Sequence, residues 1–147
     1  MNLNFLVDYG IENEIFQSAL EIRTKVFVEE QEVDLELEQD SYDNTSFHVL
    51  GLNENNEPVC CARILKQDDG WHWGRIAVKK EFRNLKLGNQ LLKFLEEYSK
   101  DVLDLSKIVL NAQVYAIKFY EKNGFTVEGE QFLEDGIDHI KMTKTIK

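Results

Sequence analysis

Two stretches of this 147-residue chain carry residue types whose spacing suits chemistry. The first, RIAVKKEFRNLKLGNQLLKFLEEY from Arg75 to Tyr98, reads as a strand, an arginine-containing turn and a helix start. Such a junction aims successive main-chain N–H groups and the positive helix end at one point, which suits a pyrophosphate or another anion. Arg83 adds a forked donor for phosphate oxygens, and Gly88 allows close backbone approach. No Gly-Lys-Ser/Thr follows, so this is not a P-loop. The second stretch, KIVLNAQVYAIKFYEKNGF, ends a strand at Asn111 and carries Tyr120 on a helix, one turn before its glycine stop. A tyrosine on an apolar stripe, taken alone, is more often core than catalyst.

The elements that must position these residues are legible from periodicity. Leu3–Val7 suits a first strand, and apolar residues from Ile15 to Phe27 recur at helical spacing, predicting one helix from Glu14 to about Glu30. A shorter helix is expected in the acidic segment that follows. Phe47–Asn53 and Pro58–Lys66 read as a hairpin, and Trp71–Lys79 as a third sheet-forming run after the Asp68-Asp69-Gly70 turn. Leu87, Leu91, Phe94, Leu95 and Tyr98 share one helix face. Ser106–Ala112 reads as a buried strand and Tyr115–Asn123 as a helix ended by Gly124. Thr126–Glu134 and His139–Thr145 close the chain as two strands around Asp135-Gly136. The order is βαα-βββ-α-β-α-ββ, an α+β (mixed α/β) fold in a single domain spanning 1–147.

Composition narrows the function. The chain carries 27 acids against 17 bases, a net charge of −10. Such a balance repels nucleic acid. The longest apolar run is four residues, too short to span a bilayer, and no apolar leader precedes the first basic residue, Arg23, so a cytoplasmic location is the expectation. Eight of the acids lie between Glu29 and Asp43 without one basic residue. That segment reads either as a solvated loop or as a surface that steers a cationic substrate. Adjacent Cys60 and Cys61 point to opposite faces of a strand and can neither pair nor share a metal.

Taken together, these blocks resemble the GNAT superfamily of acetyl-CoA-dependent N-acetyltransferases over nearly the whole chain. Arg83–Gly88 (R-x-x-x-x-G) is similar to its pyrophosphate loop, Q/R-x-x-G-x-G/A, and FYEKNGF (Phe119–Phe125) to its late tyrosine-bearing helix. IRTKVFVEEQ, ARILK, GRIAV, NAQ and EDGIDHIKM resemble blocks of the ElaA-like branch in particular. Lys86 and Asn84 stand where glycine is common, so any left-handed backbone there costs roughly 1 kcal/mol or more at each. Lys86 adds a point charge for a phosphate in return.

The resemblance implies direct transfer of an acetyl group from acetyl-CoA to an amine. An alkylammonium of pKa ~10.4 is neutral in about one molecule per thousand at pH 7.4, a deficit of roughly 4 kcal/mol that a base must meet. The oxyanion needs preorganised donors and the leaving thiolate a proton. The resemblance assigns Arg83, Asn84, Leu85, Lys86, Leu87, Gly88 and Asn89, with Asn111 and Phe119, to the coenzyme. It gives main-chain N–H groups of Ile76, Ala77 and Val78 to the thioester, and Tyr120 to protonation of the leaving group. His72 is the candidate base, because alternation puts it on the strand face of Ile76. Glu30, Arg63, Gln113 and His139 are the candidate acceptor-binding residues, and His48 is structural. The acceptor is a small-molecule, protein or peptide amine, and a homodimer is compatible with the family. The competing function is a non-catalytic acyl-CoA sensor or interaction module.

Overall fold

The computed structural model describes residues 1–147. Its seven strands are β1 (Asn4–Tyr9), β2 (Phe47–Leu52), β3 (Pro58–Gln67), β4 (Gly70–Val78), β5 (Lys107–Gln113), β6 (Thr126–Glu134) and β7 (Ile137–Thr145). They form one sheet in the order β1-β2-β3-β4-β5-β7-β6. Every neighbouring pair is antiparallel except β4 and β5. Those two are parallel and pair at one position only, His72 opposite Val109. Beyond it the strands diverge, and the β5-facing edge of β4 has no ladder partner.

Four α-helices flank the sheet: α1 (Glu14–Arg23), α2 (Leu35–Glu38), α3 (Leu87–Asp101) and α4 (Ile117–Lys122). The element order is the one read from periodicity. Asn13 caps α1 by accepting a 2.7 Å hydrogen bond from the Phe16 N–H. The single long helix expected to Glu30 is not continuous. After Arg23 the backbone widens into a π-helical segment, Thr24–Glu30. Thr24 hydroxyl-bonds back to the Leu20 carbonyl at 2.9 Å, a contact that loosens a helical ladder, and π segments are uncommon outside functional places.

The two faces of the sheet are unequal. On one, α3 and α4 cover the large core, in which Ile64, Leu91, Leu95, Ile108 and Met142 are wholly buried. On the other, α1 packs on β2, β3 and β4 over a smaller core of Ala19, Ile22, Val26, Leu50, Cys61 and Ala77. Cys60 belongs to the first and Cys61 to the second, as strand alternation requires. Burial pushes both thiols up, that of Cys60 to about 12, so neither supplies a thiolate at neutral pH.

The acidic segment is divided: Glu29, Glu30, Glu32, Asp34 and Glu36 are exposed to solvent, whereas its later acids are tied into the protein. Glu38 and Asp43 are buried, and three arginines from three other elements converge on them and on Asp40. Arg23 lies 2.9 Å from Glu38 and 2.9 Å from Asp43. Arg63 forks onto Asp40 at 2.7 and 2.9 Å and reaches Asp43 at 2.8 Å. Arg75 lies 2.9 Å from Glu38. Burial opposes the charges of Asp40 and Asp43, but the arginines outweigh it and hold both carboxyls below the usual range. Arg23 sits on the apolar stripe of α1 because its charge is met inside the protein.

Candidate active site

A bulge in β4 sets the geometry of the site. Cys61 faces Ala77 and Arg63 faces Gly74 across the β3–β4 ladder, so two β4 residues, Arg75 and Ile76, stand opposite Ala62 alone. Arg75 takes a left-handed φ of 49° there, the signature of an inserted residue. The insertion reverses alternation. His72, Gly74 and Ala77 share the α1 face, while Ile76 and Val78 pack on the α3 core. The expectation that His72 and Ile76 share a face is therefore overturned, because simple alternation assumes an unbroken ladder.

The divergence of β4 and β5 makes a V whose closed end is His72–Val109. Ile76, Ala77 and Val78 form one arm, and Asn111 and Gln113 lie on the other. The arginine-containing loop lies just past the Val78 end. Asn84 and Lys86 both adopt left-handed backbone, φ 66° and 61°, at the positions where the sequence lacks glycine. Lys86 is the N-cap of α3 and offers no side-chain cap, so the first N–H groups of a 15-residue helix point outward without one. Residues 83–89 thus form a cradle that fits an anion. Gly88 answers to packing as well: a Cβ there would lie 3.0 Å from Cζ of Phe119. Its lack of a side chain admits α4 beside α3. Leu87 is buried, Leu85 is exposed, and Asn89 accepts a bond from Asn123 at 3.1 Å.

Arg83 already holds an anion. Its guanidinium forks onto Glu30 at 2.8 and 2.9 Å, and its Nε donates to the Val78 carbonyl at 3.0 Å. Next to Glu30, Gln31 and Gln113 exchange amide bonds of 2.8 and 3.3 Å. The end of the π-helical segment therefore bridges both arms of the V. Sequence reasoning named Glu30 as a candidate but gave no role to Gln31, the last residue of the IRTKVFVEEQ block.

Tyr120 lies on the α3 side, 8% exposed, between Phe119 and Phe125. Burial, with a smaller contribution from Tyr115, pushes its phenol well above the ordinary value, so it carries its proton at neutral pH. The opposite face gathers the other candidates. Asn111, Gln113 and His139 share it by register, joined by Phe132 and Glu134 of β6 and by His72. His72 is buried, not a surface strand residue, and bonds Asp69 at 2.5 Å; Lys141 holds the same carboxylate at 2.8 Å. Burial works against the Asp69 charge, but Lys141 and His72 bring its carboxyl down to about 2. Arg63 is committed to Asp40 and Asp43, leaving only its buried Nε without a partner. His48 is wholly buried against Phe16 and the Asp43 carbonyl, as a structural histidine.

A V between parallel strands with an uncapped helix N-terminus beyond it suits a ligand with an extended arm and an anionic end, and residues 11–146 match the acetyltransferase (GNAT) domain. The chain belongs to the GNAT acetyltransferase family. It is 36% identical over 132 residues to the uncharacterised N-acetyltransferase YjcF of Bacillus subtilis, covering 89% of this chain and 93% of that one. It is 36% identical over 134 residues to Escherichia coli ElaA, covering 88% and 86%. The crystal structure of E. coli ElaA superposes with a TM-score of 0.81 at 33% identity, over 97% of this chain and 99% of the other. An acyl-CoA N-acyltransferase from Pseudomonas aeruginosa shares the fold with a TM-score of 0.85 at 24% identity, over 98% and 100%. As a GNAT protein the chain is an acyltransferase that draws its acyl group from a coenzyme A thioester. No helix is long and apolar enough to cross a membrane.

Proposed function

We propose that this GNAT enzyme transfers an acetyl group from acetyl-CoA to a primary amine by direct attack in a ternary complex. The observation that carries the reading is the V itself. It joins a face bearing the anion cradle and Tyr120 to a face bearing Asn111, Gln113 and His139. Two reactants can meet through it without a covalent enzyme intermediate, which fits the high pKa of both buried thiols.

In this reading Arg83, Lys86 and the N–H groups of Leu87, Gly88 and Asn89 hold the pyrophosphate. Coenzyme A supplies the activated thioester. The unpaired β4 edge at Ile76–Val78 donates to the carbonyl oxygen as charge builds on it. Tyr120 gives its proton to the departing sulfur, a role suited to a phenol that burial keeps protonated. Glu30 leaves Arg83 as the phosphates arrive and becomes available to the acceptor ammonium. With Glu38, Asp40 and Asp43 neutralised by arginines, the cationic preference rests on Glu29, Glu30, Glu32 and Glu134 rather than on the whole acidic segment.

Titration calorimetry with acetyl-CoA, followed by amine screening, tests the reading. Binding should collapse in Arg83→Ala, and Tyr120→Phe should keep donor binding while losing turnover. No binding at millimolar donor would overturn the reading. Unimpaired binding without transfer to any amine would favour an acyl-CoA sensor instead.

A further inference from the structure

We propose that His139 is the general base that frees the acceptor amine, with Glu134 holding the imidazolium it becomes. The inference rests on the amine-acetylation reading and names the group that reading lacks.

The β6–β7 hairpin builds the pair. Asp135 and Gly136 take left-handed φ of 52° and 77°, the two-residue turn that matches strand twist. Its register sets Phe132 opposite His139 and Glu134 opposite Ile137, so Glu134 is the same-face diagonal neighbour of His139. The His139 Nδ1 lies 2.7 Å from the Ile137 carbonyl oxygen. A carbonyl only accepts, so Nδ1 carries the hydrogen, and in the neutral ring the lone pair is on Nε2. Nε2 is 3.7 Å from a Glu134 oxygen, too far for a hydrogen bond. Phe132 stacks on the ring at 6.0 Å and 24°, which fixes its plane. Asn111 steadies Glu134 with a 3.4 Å bond.

Position separates His139 from the other histidines. His139 pairs with Gln113, four residues beyond Val109, so it lies level with the open mouth of the V, one strand outside its β5 arm. His72 sits at the closed end with Nε2 turned into Asp69. The charged groups facing His139 are Glu134 from β6 and Lys141 from β7, the latter met by Asp69. From β5 and the π-helical segment come the neutral amides Gln113 and Gln31, with Glu30 beside them on Arg83.

The protons balance. Nε2 takes one from the acceptor ammonium and passes it to water, and the nitrogen lone pair attacks the thioester carbon. The C–S bond breaks, Tyr120 protonates the sulfur, and the second proton lost by nitrogen returns to the phenolate through solvent. The sum is one amide, one thiol and one proton released.

The test compares wild type and His139→Gln, at pH 7.5, on primary alkylamines and on alkoxyamines of matching size, which are already neutral. With alkylamines kcat/KM should fall on the order of 100-fold or more; with alkoxyamines the deficit should largely vanish, and donor affinity by calorimetry should not change. An equal deficit with both acceptors overturns the assignment. Nitrogen NMR of the histidine rings gives a readout without turnover: the neutral His139 ring should carry its proton on Nδ1, and a proton on Nε2 overturns the assignment. Should His139→Gln not fold, Glu134→Gln keeps the tautomer and should slow alkylamines selectively; an equal effect on both amines again overturns it. Wild type that acetylates neither class defeats the amine-acetylation reading itself, and this inference with it.

Discussion

Two regions of the molecule are built from the same arginine–carboxylate chemistry and behave oppositely. In the buried knot, Arg23, Arg63 and Arg75 face Glu38, Asp40 and Asp43, and Arg23, Glu38 and Asp43 are within 2% of full burial. At the loop before α3, Arg83 and Glu30 form a comparable fork with side chains 38% and 30% exposed. Taking one partner from a buried network strands a charge in low dielectric, whereas the exposed pair exchanges its partner for water or phosphate at little cost. The first is therefore scaffold, tying the acidic segment to α1, β3 and β4. The second is an exposed clasp, which a phosphate opens in the proposed function.

The largest effect that would break this comparison falls on the knot. Arg23→Met should lower unfolding stability by about 3–5 kcal/mol, because Glu38 and Asp43 lose their main counter-charge; a urea midpoint within error of wild type would show that the knot is not structural. Acid should act the same way. Asp40 and Asp43 are depressed in the folded state. Their stabilisation is present above the unfolded carboxyl value near 3.8 and is lost as pH falls through the folded values. Thermal melts between pH 7 and pH 2 would display the loss, and it should be smaller in Asp40→Asn.

Arg83→Ala comes next. Charge-assisted bonds of about 1.5–3 kcal/mol predict roughly 10- to 100-fold weaker acetyl-CoA binding by calorimetry, with no change in urea midpoint. A stability loss comparable to that of Arg23→Met would erase the distinction between the two regions. The smallest effect is Glu30→Gln. Removing the internal competitor should tighten acetyl-CoA by a few-fold at most, in line with an exposed pair of about 0.2–1 kcal/mol, and the gain should shrink with salt. Weaker donor binding in that variant would mean that Glu30 supports the loop instead of occupying it.

Local pattern made the elements and the loop before α3 legible. Apolar runs, turn residues and 3.6-residue periodicity marked the seven strands and the longer helices, since each depends on which neighbours one residue faces. Residues 83–89 were legible for the same reason, because strand, turn, helix start and arginine are contiguous. Gly124 announced the end of α4 and Asp135-Gly136 the last hairpin. The π-helical widening after Arg23 gave no such signal, and neither did the bulge at Arg75, a residue that reads as an ordinary strand position.

By itself the sequence determined the element order, the opposite burial of Cys60 and Cys61 and the strand–turn–helix junction at residues 83–89, all consequences of backbone periodicity and contiguous residue types. Only the tertiary structure decided that, of eight clustered acids, Glu38, Asp40 and Asp43 would enter a buried knot, Glu30 an open clasp, and the other four would stay exposed. Arg23 meets Glu38 across 15 residues, Arg63 meets Asp40 across 23, and Arg83 meets Glu30 across 53. It likewise decided that His72 lies level with Val109 and His139 level with Gln113, because the β4–β5 and β5–β7 registers set both. Charge pairing and register are set by chain closure over long separations, and no local window of the sequence contains both partners.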